Sequence, residues 1–124
     1  MKDQEMMARI KRGLDNGDIT IYLQPQVDFD GKLKGAEALM RWIDPEMGII
    51  SPNVVIPIAE KSGMIGKLDM HIWELACKQL VSWEKAGRSD LTISVNISPK
   101  DFYYMDIPTI FENLTDKYHV NRKN

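Results

Sequence analysis

The chain has one cysteine, Cys77, so no internal disulfide can form and none is needed to explain the fold. No apolar run approaches the roughly 20 residues of a membrane helix, and Met1-Lys2-Asp3-Gln4-Glu5 leads into no apolar signal-peptide core. There is no membrane segment to read, and cytoplasm is the expected compartment. A long basic run is also missing, and the formal net charge is −2, which argues against a surface that coats a nucleic-acid polymer. A small anion held by one or two arginines stays compatible with that balance. Internal repeats and low-complexity tracts are absent too. What is present is ordinary for a globular domain: 124 residues, 44% hydrophobic and 27% charged, enough for one core and too few for two comfortable domains.

Met6, Met7, Ile10 and Leu14 recur at helical spacing before Gly17, so residues 1–18 read as a leading helix or linker. Ile19, Ile21 and Leu23 alternate with Thr20, Tyr22 and Gln24, a strand that Pro25 should end or place at a sheet edge. Asp28-Phe29-Asp30-Gly31-Lys32 is turn chemistry, not a calcium loop, because further oxygen ligands do not follow at the required spacing. It joins the first strand to a second, Leu33–Trp42, as an antiparallel hairpin. Ser51-Pro52 opens a helix that Gly63 closes. A longer helix runs from about Lys67 to Ala86, with Leu68, Ile72, Leu75, Ala76, Leu80 and Trp83 on one stripe and Gly87 beyond it. Cys77 falls beside that stripe and reads as a buried thiol; His71 has no second ligand at helical spacing and reads as an ordinary exposed or capped histidine. Leu91 to Ile97 alternates again as a third strand, Lys100 to Met105 reads as a loop, and a last helix begins near Pro108. The tail 121–124 is polar and expected to fray.

Within the second strand, Gly35, Glu37, Leu39 and Arg41 share one face, and Ala36, Ala38, Met40 and Trp42 share the other. The apolar face should pack on helices. The charged pair then faces a metal, a phosphate, or simply each other as an ion pair. Gln24 on the first strand and Asn96 on the third occupy equivalent polar faces. A carboxylate and an amide oxygen are hard donors suited to Mg2+ or Mn2+, and a guanidinium can bind a phosphate through two bonds.

Leu23-Gln24-Pro25-Gln26-Val27, Gly35-Ala36-Glu37-Ala38-Leu39-Met40-Arg41-Trp42, Ile50-Ser51-Pro52, Ile56-Pro57-Ile58-Ala59-Glu60 and Ser94-Val95-Asn96-Ile97-Ser98 stand in the order and spacing of the EAL domain. The sequence resembles that family from Ile19 to about Leu114, with Glu37-Ala38-Leu39 as the defining triplet. The resemblance implies an α/β fold, a modified TIM barrel whose first strand is antiparallel, here ending soon after the third strand and its helix. Residues 19–124 would then be the N-terminal portion of an EAL domain. A full barrel takes about 250 residues.

Family members of this kind are bacterial phosphodiesterases that linearise cyclic di-GMP to pGpG with Mg2+ or Mn2+, and Ca2+ is expected to inhibit. By resemblance, Glu37 and Asn96 are metal-binding and catalytic, while Gln24, Leu39 and Arg41 contact the dinucleotide. The family's further acidic ligands and its catalytic lysine lie on later strands, and Asp101, Asp106, Glu112 and Asp116 do not stand in those contexts. The chain alone is expected to be inactive and to form a homo-oligomer through open barrel edges. The leading helix resembles the connector to a GGDEF cyclase or sensor domain. A non-catalytic cyclic di-GMP-binding or protein-interaction module is the alternative.

Overall fold

The computed structural model describes residues 3–120. In chain order the elements are α1 (Asp3–Asn16), β1 (Ile19–Val27), β2 (Leu33–Asp44), β3 (Gly48–Ile50), α2 (Pro52–Ser62), α3 (Ile65–Lys85), β4 (Thr92–Ser94), α4 (Asp101–Tyr104) and α5 (Ile107–Tyr118). The expected frayed tail, 121–124, lies outside the described residues.

β2 is the centre of the sheet. β1 pairs antiparallel along one edge of it, from Ile19 opposite Trp42 to Val27 opposite Leu33. The other edge is divided: β4 pairs parallel with Gly35–Glu37, and β3 pairs antiparallel with Trp42–Asp44. The hairpin turn is closed by Asp28, whose Oδ1 accepts from the Asp30 and Lys32 backbone N–H groups at 2.9 and 3.0 Å. Gly35 is required where β2 meets β4, because a Cβ there would stand 1.9 Å from the Thr92 carbonyl oxygen.

The apolar face of β2 packs as its alternation demands. Ala36, Ala38 and Trp42 are buried, and Trp42 joins Met6 and Ile10 of α1, Val55 and Ala59 of α2, and Leu68, Ile72 and Ala76 of α3 in one core. The helices end where their caps dictate. Ser51 Oγ accepts from the Asn53 N–H at 3.2 Å, and Gly63 closes α2 with φ 80°. Asp106 Oδ1 accepts from the Thr109 N–H at 3.3 Å and opens α5. Outside the sheet, Arg9 ties α1 to the β2–β3 turn through Asp44 at 3.1 Å and Glu46 at 3.0 Å.

Of the two outcomes expected for Pro25 the second holds: it sits opposite Ala36 within β1, the strand at the edge of the described sheet. The structure departs from the sequence reading at three places. The three-residue strand β3 was unforeseen, being too short for alternation to register. The third strand is confined to Thr92–Ser94, so Asn96 lies just beyond it. The stretch read as a loop contains the single helical turn α4, held by Asp101, whose Oδ2 accepts from the Ser98 N–H at 3.1 Å.

Candidate functional site

The register places Gln24 opposite Glu37, and Glu37 opposite Ser94, so three strands contribute one transverse row. Residues of this parity on β2 form the face turned away from the helices. Glu37 is half-buried, and Asn96 reaches it from the turn after β4: Asn96 Nδ2 donates to Glu37 Oε2 at 3.3 Å. Two residues along, Ser94 Oγ donates to Gln26 Oε1 at 3.4 Å and closes the row on the β1 side. The Glu37 partner is thus Asn96, and among the described residues no ion pair joins Glu37 to Arg41.

Between the segments of β2 that pair with β4 and with β3 the edge has no described strand partner, and a cleft of about 590 Å3 opens there. Leu39 and Arg41 line it together with Tyr22, Ile49, Ile56 and Asn96. Arg41 is exposed, and its guanidinium is available to an anion at the mouth of this otherwise apolar cleft. Of the five residues singled out from the sequence, Leu39, Arg41 and Asn96 share the cleft, Glu37 is bonded to Asn96, and Gln24 is paired across the sheet with Glu37.

Asn96 is itself held from behind. Trp73 on α3 donates its indole N–H to the Asn96 carbonyl oxygen at 3.0 Å, and the ring packs on Phe111 of α5 at 4.7 Å between centroids. Two residues later, the Ser98 N–H points at two buried carboxylates, Asp69 Oδ2 at 3.4 Å and Asp101 Oδ2 at 3.1 Å. Burial and then the neighbouring Asp101 push the Asp69 carboxyl up to about 8. Sequence reasoning missed Trp73, Asp69 and Asp101 as supports of the site; an acid on the buried side of an otherwise apolar helix stripe was the available signal for Asp69. His71, read from the sequence as an ordinary exposed or capped histidine, is half-buried: its Nε2–H donates to the Ile19 carbonyl at 2.7 Å and ties α3 to β1. Cys77 is buried, and burial pushes its thiol upward, away from reactivity.

As a metal site the arrangement supplies two hard donors, the Glu37 carboxylate and the Asn96 amide oxygen. Among the described residues there is no group of three or more His, Cys, Asp or Glu that could hold an ion. The donor set fits part of an oxygen-ligated divalent site and leaves its other positions to groups outside it.

The sequence matches the EAL domain family over residues 7–124. It is 32% identical over 99 residues to the bifunctional diguanylate cyclase/cyclic di-GMP phosphodiesterase MucR of Pseudomonas aeruginosa, covering 79% of this chain and 14% of that protein. It is 34% identical over 114 residues to the oxygen sensor protein DosP of Escherichia coli, covering 91% of this chain and 14% of the relative. Among solved structures, the PaMucR phosphodiesterase in complex with c-di-GMP superposes with a TM-score of 0.87 at 28% identity, covering 94% of this chain and 47% of that one. The EAL enzyme Bd1971, bound to cAMP and cyclic di-GMP, gives a TM-score of 0.83 at 27% identity, with 96% and 34% covered. The chain therefore spans about half of a solved EAL structure and a small share of its curated relatives. An antiparallel first strand, a parallel third barrel strand and a family match across nearly the whole length agree: the chain belongs to the EAL domain family.

Proposed function

We propose that this chain forms the N-terminal portion of a cyclic di-GMP phosphodiesterase domain, and that its cleft receives the dinucleotide. The observation that supports this most directly is the junction of Asn96, Glu37 and the cleft that Leu39 and Arg41 line. In this reading Arg41 binds a phosphate, Leu39 packs against the nucleotide, and Gln24 contacts it from β1. Glu37 and Asn96 would hold Mg2+ or Mn2+, in a site completed by groups beyond these two. When bound, such an ion supplies an activated water and stabilises the charge that develops on the phosphodiester. Residues 1–18 would lead in from a GGDEF or sensor domain, and residues 19–124 would be the EAL portion, working in the cytoplasm.

With two hard donors and no larger acidic cluster among the described residues, this chain by itself fits binding better than turnover. Calorimetry with cyclic di-GMP and Mg2+ or Mn2+, with product analysis, tests both parts. The expected result is binding weakened by Arg41→Ala, with no linear dinucleotide formed. Absence of binding overturns the substrate assignment; turnover abolished by Glu37→Ala overturns the inactivity of the chain alone.

We further infer self-association through the outer edge of β4. That edge has no strand partner among the described residues, and beside it lies an apolar groove of about 520 Å3 lined by Trp73, Leu80, Ile93, Val95 and Phe111. Ultracentrifugation at micromolar concentration should find a dimer or larger species; a stable folded monomer overturns this.

A further inference from the structure

Asp69 comes from α3 and Asp101 from the start of α4, and both are buried; Asp101 is 0% exposed. They converge on one donor, the Ser98 N–H. Asp101 Oδ1 is buried with no hydrogen-bond partner, and it lies near Gly66 in the first turn of α3, 3.9 Å from where a Cβ on that glycine would stand. A buried carboxylate oxygen with no donor, beside a second buried carboxylate, is a costly arrangement if both groups are ionised. A single proton held by the pair removes one of the two charges.

We infer that Asp69 and Asp101 share one proton, and that this protonated pair is a positioning device that clamps the Ser98 N–H and thereby sets the turn carrying Asn96. Glu60 on α2 repels an ionised Asp69, and Lys100, the residue before Asp101, directs its Nζ to the Glu60 carbonyl at 2.9 Å. The Ser98 N–H favours an ionised carboxylate but is outweighed by burial and by Asp101, and Asp69 is held protonated well above the usual carboxylate range. As pH rises and the shared proton leaves, two like charges stand buried around one N–H. The turn then relaxes, and with it the Asn96 side chain that reaches Glu37. Neither aspartate touches the cleft; both act through Ser98.

The importance of Asn96 rests on the proposed ligand site, but the clamp is testable without any nucleotide or metal. Carboxyl 13C and backbone 15N resonances of the chain are followed against pH. The expected result is one cooperative transition of the pair in the neutral to alkaline range, with the Ser98 amide and the Asn96 side-chain amide moving at the same midpoint. In Asp101→Asn, a neutral isostere, the Asp69 transition should fall by at least about one pH unit. Separate titration of both carboxyls below about pH 5, the range of ordinary aspartates, overturns the shared proton. A transition that leaves Ser98 and Asn96 unmoved overturns the clamp. The wild-type titration decides the matter even if the variant does not fold, and a clamp that holds in a chain that binds no cyclic di-GMP leaves only the ligand reading at fault.

Discussion

Asn96 Nδ2 donates to Glu37 Oε2 at 3.3 Å, joining residues 59 positions apart from the turn after β4 to the middle of β2. A neutral amide occupies one hydrogen-bonding position on the Glu37 carboxylate and brings no opposing charge to it, as an arginine partner would have done. Glu37→Gln retains shape and a hydrogen-bonding partner for Asn96 but removes the charge. It should leave the melting temperature nearly unchanged while weakening Mn2+-dependent cyclic di-GMP binding by more than about tenfold, a loss typical of disturbed metal sites. Calorimetry beside thermal denaturation reads both; equal affinity in the variant would remove Glu37 from the site.

Gly35→Ala should destabilise the fold, because its Cβ would stand 1.9 Å from the Thr92 carbonyl oxygen and β4 must move away from β2. Overpacking of this kind costs about 1–3 kcal/mol. Urea denaturation gives the number, and an unchanged midpoint would mean that the two strands are not held this close in solution.

Trp73→Phe keeps an aromatic ring for Phe111 and removes the indole N–H that the Asn96 carbonyl accepts at 3.0 Å. The loss should be about 1 kcal/mol of stability, the usual worth of one such bond, together with weaker cyclic di-GMP binding. Trp83→Phe, on the same helix and absent from the cleft lining, serves as the control and should leave binding intact.

Two aspartates should give the stability opposite slopes against pH. The Asp44 carboxyl is held below its ordinary range, chiefly by the Met47 N–H donating to it, with the Glu46 N–H and Arg9 adding to the effect. A lowered folded-state value means stability present above the ordinary carboxylate range and lost as acid protonates the group. Asp69 is raised to about 8, so its contribution is full in acid and is lost as pH rises toward that value. Melting temperature should therefore peak near the ordinary carboxylate range, at about pH 4. Asp44→Asn should flatten the limb below that peak, and Asp69→Asn the decline from the peak up to about 8; a variant that leaves its limb unchanged refutes the assignment.

The hairpin of β1 and β2 was legible because its alternation is long and Asp28 to Lys32 is unambiguous turn chemistry. Gln24, Glu37 and Arg41 were legible by parity, since strand side chains alternate whatever the tertiary context; Asn96 was reached by carrying the same alternation past Ser94, where the strand ends. What stayed hidden depends on distance along the chain. Asp69 looks like one acid on an amphipathic helix until Asp101, 32 positions later, is folded against it around Ser98. Trp73 reads as core, and its bond to a backbone carbonyl 23 residues away has no sequence signature. β3 and α4 are too short for periodicity; β3 is held by its pairing with β2, and α4 by the bond from the Ser98 N–H to the carboxylate of its own first residue, Asp101.

Trp73 touches three things at once: the Asn96 carbonyl, the Phe111 ring and the wall of the apolar groove beside β4. Anything that fills the groove changes the polarity around this indole, and anything that shifts Asn96 changes its hydrogen bond. The molecule thus carries its own optical probe: the difference in emission between the chain and its Trp73→Phe variant, a subtraction that removes the share of Trp42 and Trp83, would register assembly at the sheet edge and occupancy of the cleft with no label attached.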